Sequence, residues 1–282
     1  MSAVGTWLTE PFVQPFMQRA LLASLMVGVI CSVVGCYVVL RGMAFLGDAL
    51  AHGILPGVAV AYLLNGNLVV GALIAAVAVA VGIGLVSRSG TVREDTAIGI
   101  FFAAALSLGV LLISTIRTYA TDLTHILFGN VLGVSSFDLW LTGILGVVIL
   151  LVVVLLYRQL LVTSFDPVFA MTLRLRTEWL RMLLLVLLAL TIVVSLQTVG
   201  VGLVVAMLVT PGATAYLLVR RLLPMMTTAA AVGAVSAVGG LYISYYANVA
   251  SGAAMVLVAT ILFFVAFLFS PDRGVVWRWV RR

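Results

Sequence analysis

The sequence predicts an all-α fold, a polytopic transmembrane helical bundle of about eight or nine spans. Three observations predict it. The chain of 282 residues is 64% hydrophobic and only 9% charged, against about 25% charged in a soluble domain. Apolar runs of about 20 residues, the length that crosses a bilayer as a helix, recur from end to end. The short alternating segments of a membrane β-barrel are not found. One transmembrane domain over 1–282, with no soluble domain appended, is the expected organisation.

The elements follow in order. The stretch Met1–Gln18 carries Glu10, Pro11 and Pro15 and lacks the basic start of a cleavable signal peptide. The first span, 19–40, holds both cysteines, Cys31 and Cys36. Five residues apart on one helix they point in different directions, and they read as small packing residues. The second span, 46–64, is the weakest: it is short, carries Asp48 and His52, and is interrupted by Pro56-Gly57. The spans 67–87 and 96–115 follow. Gly28-x6-Gly35 and Ala78-x3-Gly82 place small residues where helices in a membrane pack closely.

The stretch 117–136 is too polar for a simple span and too apolar for an ordinary loop. A broken or re-entrant segment is expected there, of the kind tolerated where it lines a cavity. A span over 138–157 leads to the longest connection, 158–181, which is polar enough to leave the membrane and too short for a domain. The remaining spans are 182–197, 200–219 with Pro211-Gly212 inside it, 225–246 and 252–269. Tyr242, Tyr245 and Tyr246 suit one interfacial belt, and Trp277 and Trp279 the other.

Charge tests the layout. Cytoplasmic loops collect arginine and lysine. With the C-terminus in the cytoplasm and nine alternating spans, only Arg19 and Arg117 fall outside, and the other 13 of the 15 basic residues fall inside. Those 13 include Arg41, Arg88, Arg93, the group from Arg158 to Arg181, and the C-terminal arginines. The opposite orientation reverses the ratio. The expected location is therefore a bacterial cytoplasmic membrane, multi-pass, with a cytoplasmic C-terminus.

All the basic residues are arginine and none is lysine. A phosphate-binding loop needs its lysine, and Schiff-base catalysis needs a lysine amine. The chain is expected not to be an enzyme, and no cofactor is expected to be bound permanently. The net charge of +6 is no sign of a nucleic-acid partner, because the arginines sit between apolar spans. The expected surroundings are lipid.

Four ionisable residues lie within or against apolar runs: Asp48, His52, Asp122 and His125. A carboxylate at mid-bilayer costs about 2.5–3.5 kcal/mol on insertion scales, so these groups are expected to face a cavity, a partner or an ion. Asp48 and His52 stand four apart, and Asp122 and His125 three apart. Both spacings put a pair on one helical face. The two histidines are the only ones in the chain, and each falls one turn after an intramembrane aspartate. Carboxylate and imidazole together suit Mn²⁺, Fe²⁺ or Zn²⁺, and two aspartates balance a +2 charge. Without a thiolate the affinity is moderate, as conduction requires. Each pair alone also suits a purely structural Asp–His contact or a proton relay.

At this point the residues resemble a known family. Arg41-Gly-Met-Ala-Phe-Leu-Gly-Asp48-Ala-Leu-Ala-His52-Gly-Ile-Leu-Pro-Gly57 looks like a signature of the permease subunits of bacterial ABC importers for manganese, zinc and iron. Thr121-Asp122-Leu-Thr-His125-Ile-Leu-Phe-Gly-Asn-Val-Leu132 looks like a second family segment. Glu94-Asp-Thr-Ala-Ile-Gly99 and Leu208-Val-Thr-Pro-Gly-Ala-Thr214 look like two more. The likeness runs over about residues 16–270.

The resemblance implies a homodimeric pore, a cytoplasmic ATP-binding subunit that hydrolyses the ATP, and an extracytoplasmic metal-binding protein. It implies that Asp48, His52, Asp122 and His125 contact the transported metal. It maps the ATPase-coupling segment onto Phe165, Asp166, Pro167, Phe169, Ala170 and Arg174. Where the family usually has a glycine four residues after the alanine, this chain has Arg174. The segment after His125 is closer to the manganese and iron members, so manganese is favoured, with zinc or iron also compatible. The alternatives are an ion-coupled secondary metal transporter, with the Asp–His pairs as a relay, and an intramembrane metalloenzyme. The second is disfavoured by the lack of a His-Glu-x-x-His motif and of a spare acid beside either histidine.

Overall fold

The computed structural model describes residues 14–88, 90–115, 133–270 and 274, and every regular element among them is helical. In chain order these are α1 (Pro15–Arg41), α2 (Ala44–Gly53), α3 (Leu55–Leu63), α4 (Leu68–Arg88), α5 (Glu94–Ser114) and α6 (Ser136–Leu155). They continue as α7 (Tyr157–Phe165), α8 (Pro167–Thr172), α9 (Thr177–Val199), α10 (Val201–Leu218), α11 (Leu222–Ala247) and α12 (Ser251–Phe269). Counting α2 and α3 together, eight segments among the described residues are long and apolar enough to cross a membrane. The apolar part of α10, Leu203–Leu218, is a little shorter. That one short helix separates eight spans from nine.

α1 is the hub. It packs against α6, α9, α10 and α11, and two-thirds of its most apolar stretch is buried, against about a fifth for α5 and α6. The bilayer gives helices no hydrophobic drive to associate, so contact depends on close packing. The sequence meets this with glycine. A Cβ at Gly28 would stand 2.9 Å from the carbonyl oxygen of Gly233 in α11, and one at Gly35 would overlap the carbonyl of Leu208 in α10. The same close approach joins α3 to α4 through Gly57 and Gly71. Three buried hydroxyls are satisfied within their own helices: Ser32 donates to the Gly28 carbonyl (2.5 Å), Thr191 to Leu187 (2.7 Å) and Ser236 to Val232 (2.7 Å). Cys31 and Cys36 are both free and buried, and the Cys31 sulfur lies 3.2 Å from the Ser195 hydroxyl.

Helix ends follow local chemistry. α1 stops where Gly42 takes the left-handed conformation (φ 69°), with Met43 N–H bonded to the Val38 carbonyl and Gly42 N–H to Val39, the glycine-capped end that such helices favour. Pro56-Gly57 kinks the second span without unwinding it. Ile54, between α2 and α3, keeps helical angles, and Val58 N–H still reaches its carbonyl at 3.1 Å. Pro211 sits inside α10, which runs on to Leu218. α6 opens on a capping box in which the Ser135 hydroxyl accepts from Asp138 N–H and the Asp138 carboxylate accepts from Ser135 N–H. The stretch expected to be broken or re-entrant, 117–136, lies mostly outside the described residues. The connection 158–181 is not a loop: it folds as α7 and α8, and α9 begins at Thr177, five residues before its apolar run.

Candidate functional site

Asp48 and His52 sit on α2, whose other faces are tightly packed. A Cβ at Gly47 would touch Leu208 of α10, and one at Gly53 would touch Val79 of α4. That leaves one face for the polar pair. At 1.5 Å per residue, His52 lies about 12 Å along the 20-residue span Ala44–Leu63, near its middle. His52 Nε2 is 3.5 Å from Asp48 Oδ1, and their side chains are 27% and 44% exposed. The contact is long for a hydrogen bond, so the carboxylate keeps free lone pairs. His52 Nδ1 is buried and without a hydrogen-bond partner. The Phe102 ring of α5 stands edge-on to the imidazole, with centroids 5.5 Å apart. Being apolar, Phe102 carries no chemical signal in the sequence.

Asp122 and His125 lie outside the described residues. Among those described, no group of three histidine, cysteine, aspartate or glutamate side chains is placed to hold a metal ion. Asp48 and His52 therefore present two donors, one oxygen and one nitrogen, on an accessible face in mid-span. Mn²⁺, Fe²⁺ and Zn²⁺ need at least four ligands.

The second site is α8. Asp166 caps it, its carboxylate accepting from Phe169 N–H at 2.9 Å, and Pro167 stands in its first turn, the position that suits proline. Ala170 is fully buried, while Phe165, Val168, Phe169, Met171 and Leu173 are each more than half exposed. Three of these lie on the six-residue α8 and two flank it, at an end of the bundle that also carries Arg174 and Arg176; exposed apolar clusters of this kind often mark interaction surfaces. α8 ends with Leu175 N–H on the Ala170 carbonyl (3.1 Å) and Arg174 N–H on Met171 (2.9 Å). Arg174 is left-handed, with φ 55°. Glycine is the residue that takes this conformation without strain.

Comparison with known proteins agrees with this architecture. The family model described as "ABC 3 transport family" matches residues 13–270. The chain is 51% identical over 266 residues to the manganese transport system membrane protein MntC of Halalkalibacterium halodurans, covering 94% of this chain and 91% of that one. It is 40% identical to the chelated iron transport system membrane protein YfeD of Yersinia pestis, over 96% of this chain and 91% of that one. Among solved structures, PsaBC from Streptococcus pneumoniae, determined in complex with Fab, superposes with a TM-score of 0.86. It is 38% identical and covers 99% of both chains.

Proposed function

We propose, from the premise that this chain belongs to the ABC 3 transport family, that it is the membrane-spanning permease of an ATP-driven importer carrying a divalent transition metal into the cytoplasm. Manganese is the favoured cargo, as in the name of the MntC relative. Iron, named for the YfeD relative, and zinc fit the same donors. The observation that carries the reading is the Asp48–His52 pair, half-exposed in mid-span, with a carboxylate not consumed by its neighbour and a buried imidazole nitrogen left without a partner.

In this reading Asp122 and His125 supply the rest of the site. Two carboxylates neutralise the ion, so the loaded site is stable in a low-dielectric setting. Two neutral imidazoles add ligands that favour a transition metal over Ca²⁺ or Mg²⁺. The lack of thiolates lets the ion leave. The permease supplies the path and the selectivity. The energy comes from a cytoplasmic ATP-binding subunit docked on the exposed apolar side chains of α8 and the end of α7, with Phe165 and Phe169 as anchors and Asp166, Pro167 and Ala170 fixing the helix. Two copies of the chain enclose the pore, an extracytoplasmic metal-binding protein delivers the ion, and the C-terminus is cytoplasmic.

The test is reconstitution with the ATPase and binding protein, followed by uptake of Mn²⁺, Fe²⁺ and Zn²⁺ with and without ATP. Uptake that needs ATP, and is lost in a folded Asp48→Ala/Asp122→Ala double variant, is the expected result. Full uptake by that variant would sink the site assignment. Uptake with no ATPase present would instead make the chain an ion-coupled secondary transporter.

A further inference from the structure

Residues far apart in sequence meet at the end of the bundle that carries α8. They line a polar cavity of about 360 Å³ walled by Arg41, Glu94, Thr163, Ser164, Met171 and Arg181. Arg41 is the last residue of α1. Its Nε donates to the Ser164 hydroxyl at 3.3 Å and its Nη2 to the Thr163 hydroxyl at 3.4 Å, both on α7. No carboxylate lies within ion-pair distance of Arg41 among the described residues. Arg181, near the start of α9, is held differently. Its Nε and Nη2 both lie 3.1 Å from Glu94 Oε1, at the first residue of α5, and Nη2 also donates to Ser87 at the end of α4.

The two arginines differ in strength. Arg181 makes a two-nitrogen contact with a carboxylate, a strong charge-assisted arrangement. Arg41 has two long bonds to neutral hydroxyls, which are weak. One is a fixed post and the other a loose clasp, with a cavity beside it that gives the guanidinium room to move. What lies behind each is the pair in mid-span. Past Arg41 come only Gly42, in its left-handed turn, and Met43 before α2 begins and carries Asp48 and His52. Past Glu94, α5 runs to Phe102, which packs on His52.

We infer that Arg41 is a positioning residue. Its clasp on Thr163 and Ser164 transmits the displacement of the α7–α8 hairpin through the Gly42 turn to Asp48 and His52, while the Arg181–Glu94 post holds α5 and Phe102 in place. The inference rests on the functional reading above and goes beyond it by naming the residues that link ATP hydrolysis to the metal site.

The experiment uses the complete transporter in proteoliposomes, with metal imported per ATP hydrolysed as the readout. The variants are Arg41→Gln, Arg41→Lys and Thr163→Val/Ser164→Ala, each first checked for co-purification with the ATPase subunit. Arg41→Gln and the double variant are expected to keep ATP hydrolysis and assembly but to lower the ratio about fivefold or more, the smallest effect typical of a coupling interaction. Arg41→Lys keeps the charge but not the two-armed reach and is expected to recover part of the ratio. A wild-type ratio in the double variant would overturn the inference, and so would equal loss of uptake and hydrolysis in all three. If Arg41→Gln does not fold, the double variant, which leaves the arginine in place, decides alone. A wild-type transporter with no ATP-dependent uptake would overturn the functional reading itself, a result no variant is needed to see.

Discussion

Arg174 offers the sharpest test of the local physics. It occupies the left-handed position that ends α8, with φ 55°. For a residue with a Cβ this conformation costs roughly 1–2 kcal/mol, because the Cβ crowds the following carbonyl. Glycine escapes that cost but gives up more freedom on folding, by roughly 0.5–1 kcal/mol. The difference predicts that Arg174→Gly stabilises the end of α8 by about 0.5–1 kcal/mol. Asparagine, which tolerates the left-handed region, should fall between, and Arg174→Val should destabilise, since a β-branched side chain is worst there. Hydrogen exchange at the amides that close the turn, Arg174 and Leu175, reads the effect directly. A gain of 0.5–1 kcal/mol corresponds to exchange slowed about two- to fivefold, because 1.36 kcal/mol is a factor of ten. The expected order of protection is Gly, Asn, Arg, Val. If Arg174→Gly exchanges faster than wild type, the arginine side chain holds the turn through its own contacts and the strain argument fails. The same series read by ATPase affinity tests α8 as the docking element, since a better-ended helix binds with less ordering to pay for.

Two more predictions follow from packing and topology. Gly35→Ala is expected to destabilise the bundle by at least about 1–3 kcal/mol, the usual cost of overpacking, because its methyl would overlap the Leu208 carbonyl. Gly99→Ala, in open space inside α5, should stabilise by about 0.5–1 kcal/mol; thermal unfolding in detergent that shows the same sign for both would contradict the packing argument. Cys31 and Cys36 are buried, so single exposed cysteines can be labelled over a low background. Val168→Cys is expected to react only from the cytoplasmic side and Asn67→Cys only from the other; the reverse would invert the orientation drawn from the arginines.

What the sequence makes legible depends on how locally each feature is encoded. Helices in lipid are written as apolar length, so the runs read from the sequence match the helices to within a few residues at most ends. α9 is the exception: it starts at Thr177, and its first turns, with Glu178 and Arg181, are polar, so the apolar run marks only the part that follows. α7 and α8 were hidden for the same reason, although Asp166-Pro167 is a helix-start signal visible in the sequence. The contact between Asp48 and His52 was legible because their four-residue spacing fixes a shared face. Arg41 was not. Its partners lie 122 and 123 residues away, and an arginine at a helix end satisfies the positive-inside pattern without further explanation.

The place of Asp48 and His52 in the chain has a mechanical consequence. Asp48 and His52 ride on a ten-residue helix with the Gly42 turn before it and the Pro56 kink, through which Ile54 keeps helical angles, after it. A continuous 20-residue helix would carry the pair rigidly, and any shift at its end would have to move the whole span. With the Gly42 turn on one side and a proline that forfeits a helical hydrogen bond on the other, the short segment is held less rigidly than α3, which is locked to α4 through Gly57 and Gly71. A transporter needs ligands that hold an ion in one state and release it in another, and a change of about 1 Å in ligand position is enough to do so, because metal–ligand distances are tolerated only within about 0.2 Å. The Gly42 turn and the Pro56 kink thus leave Asp48 and His52, as its long bonds leave Arg41, on a connection that can move at small cost, between parts of the bundle that cannot.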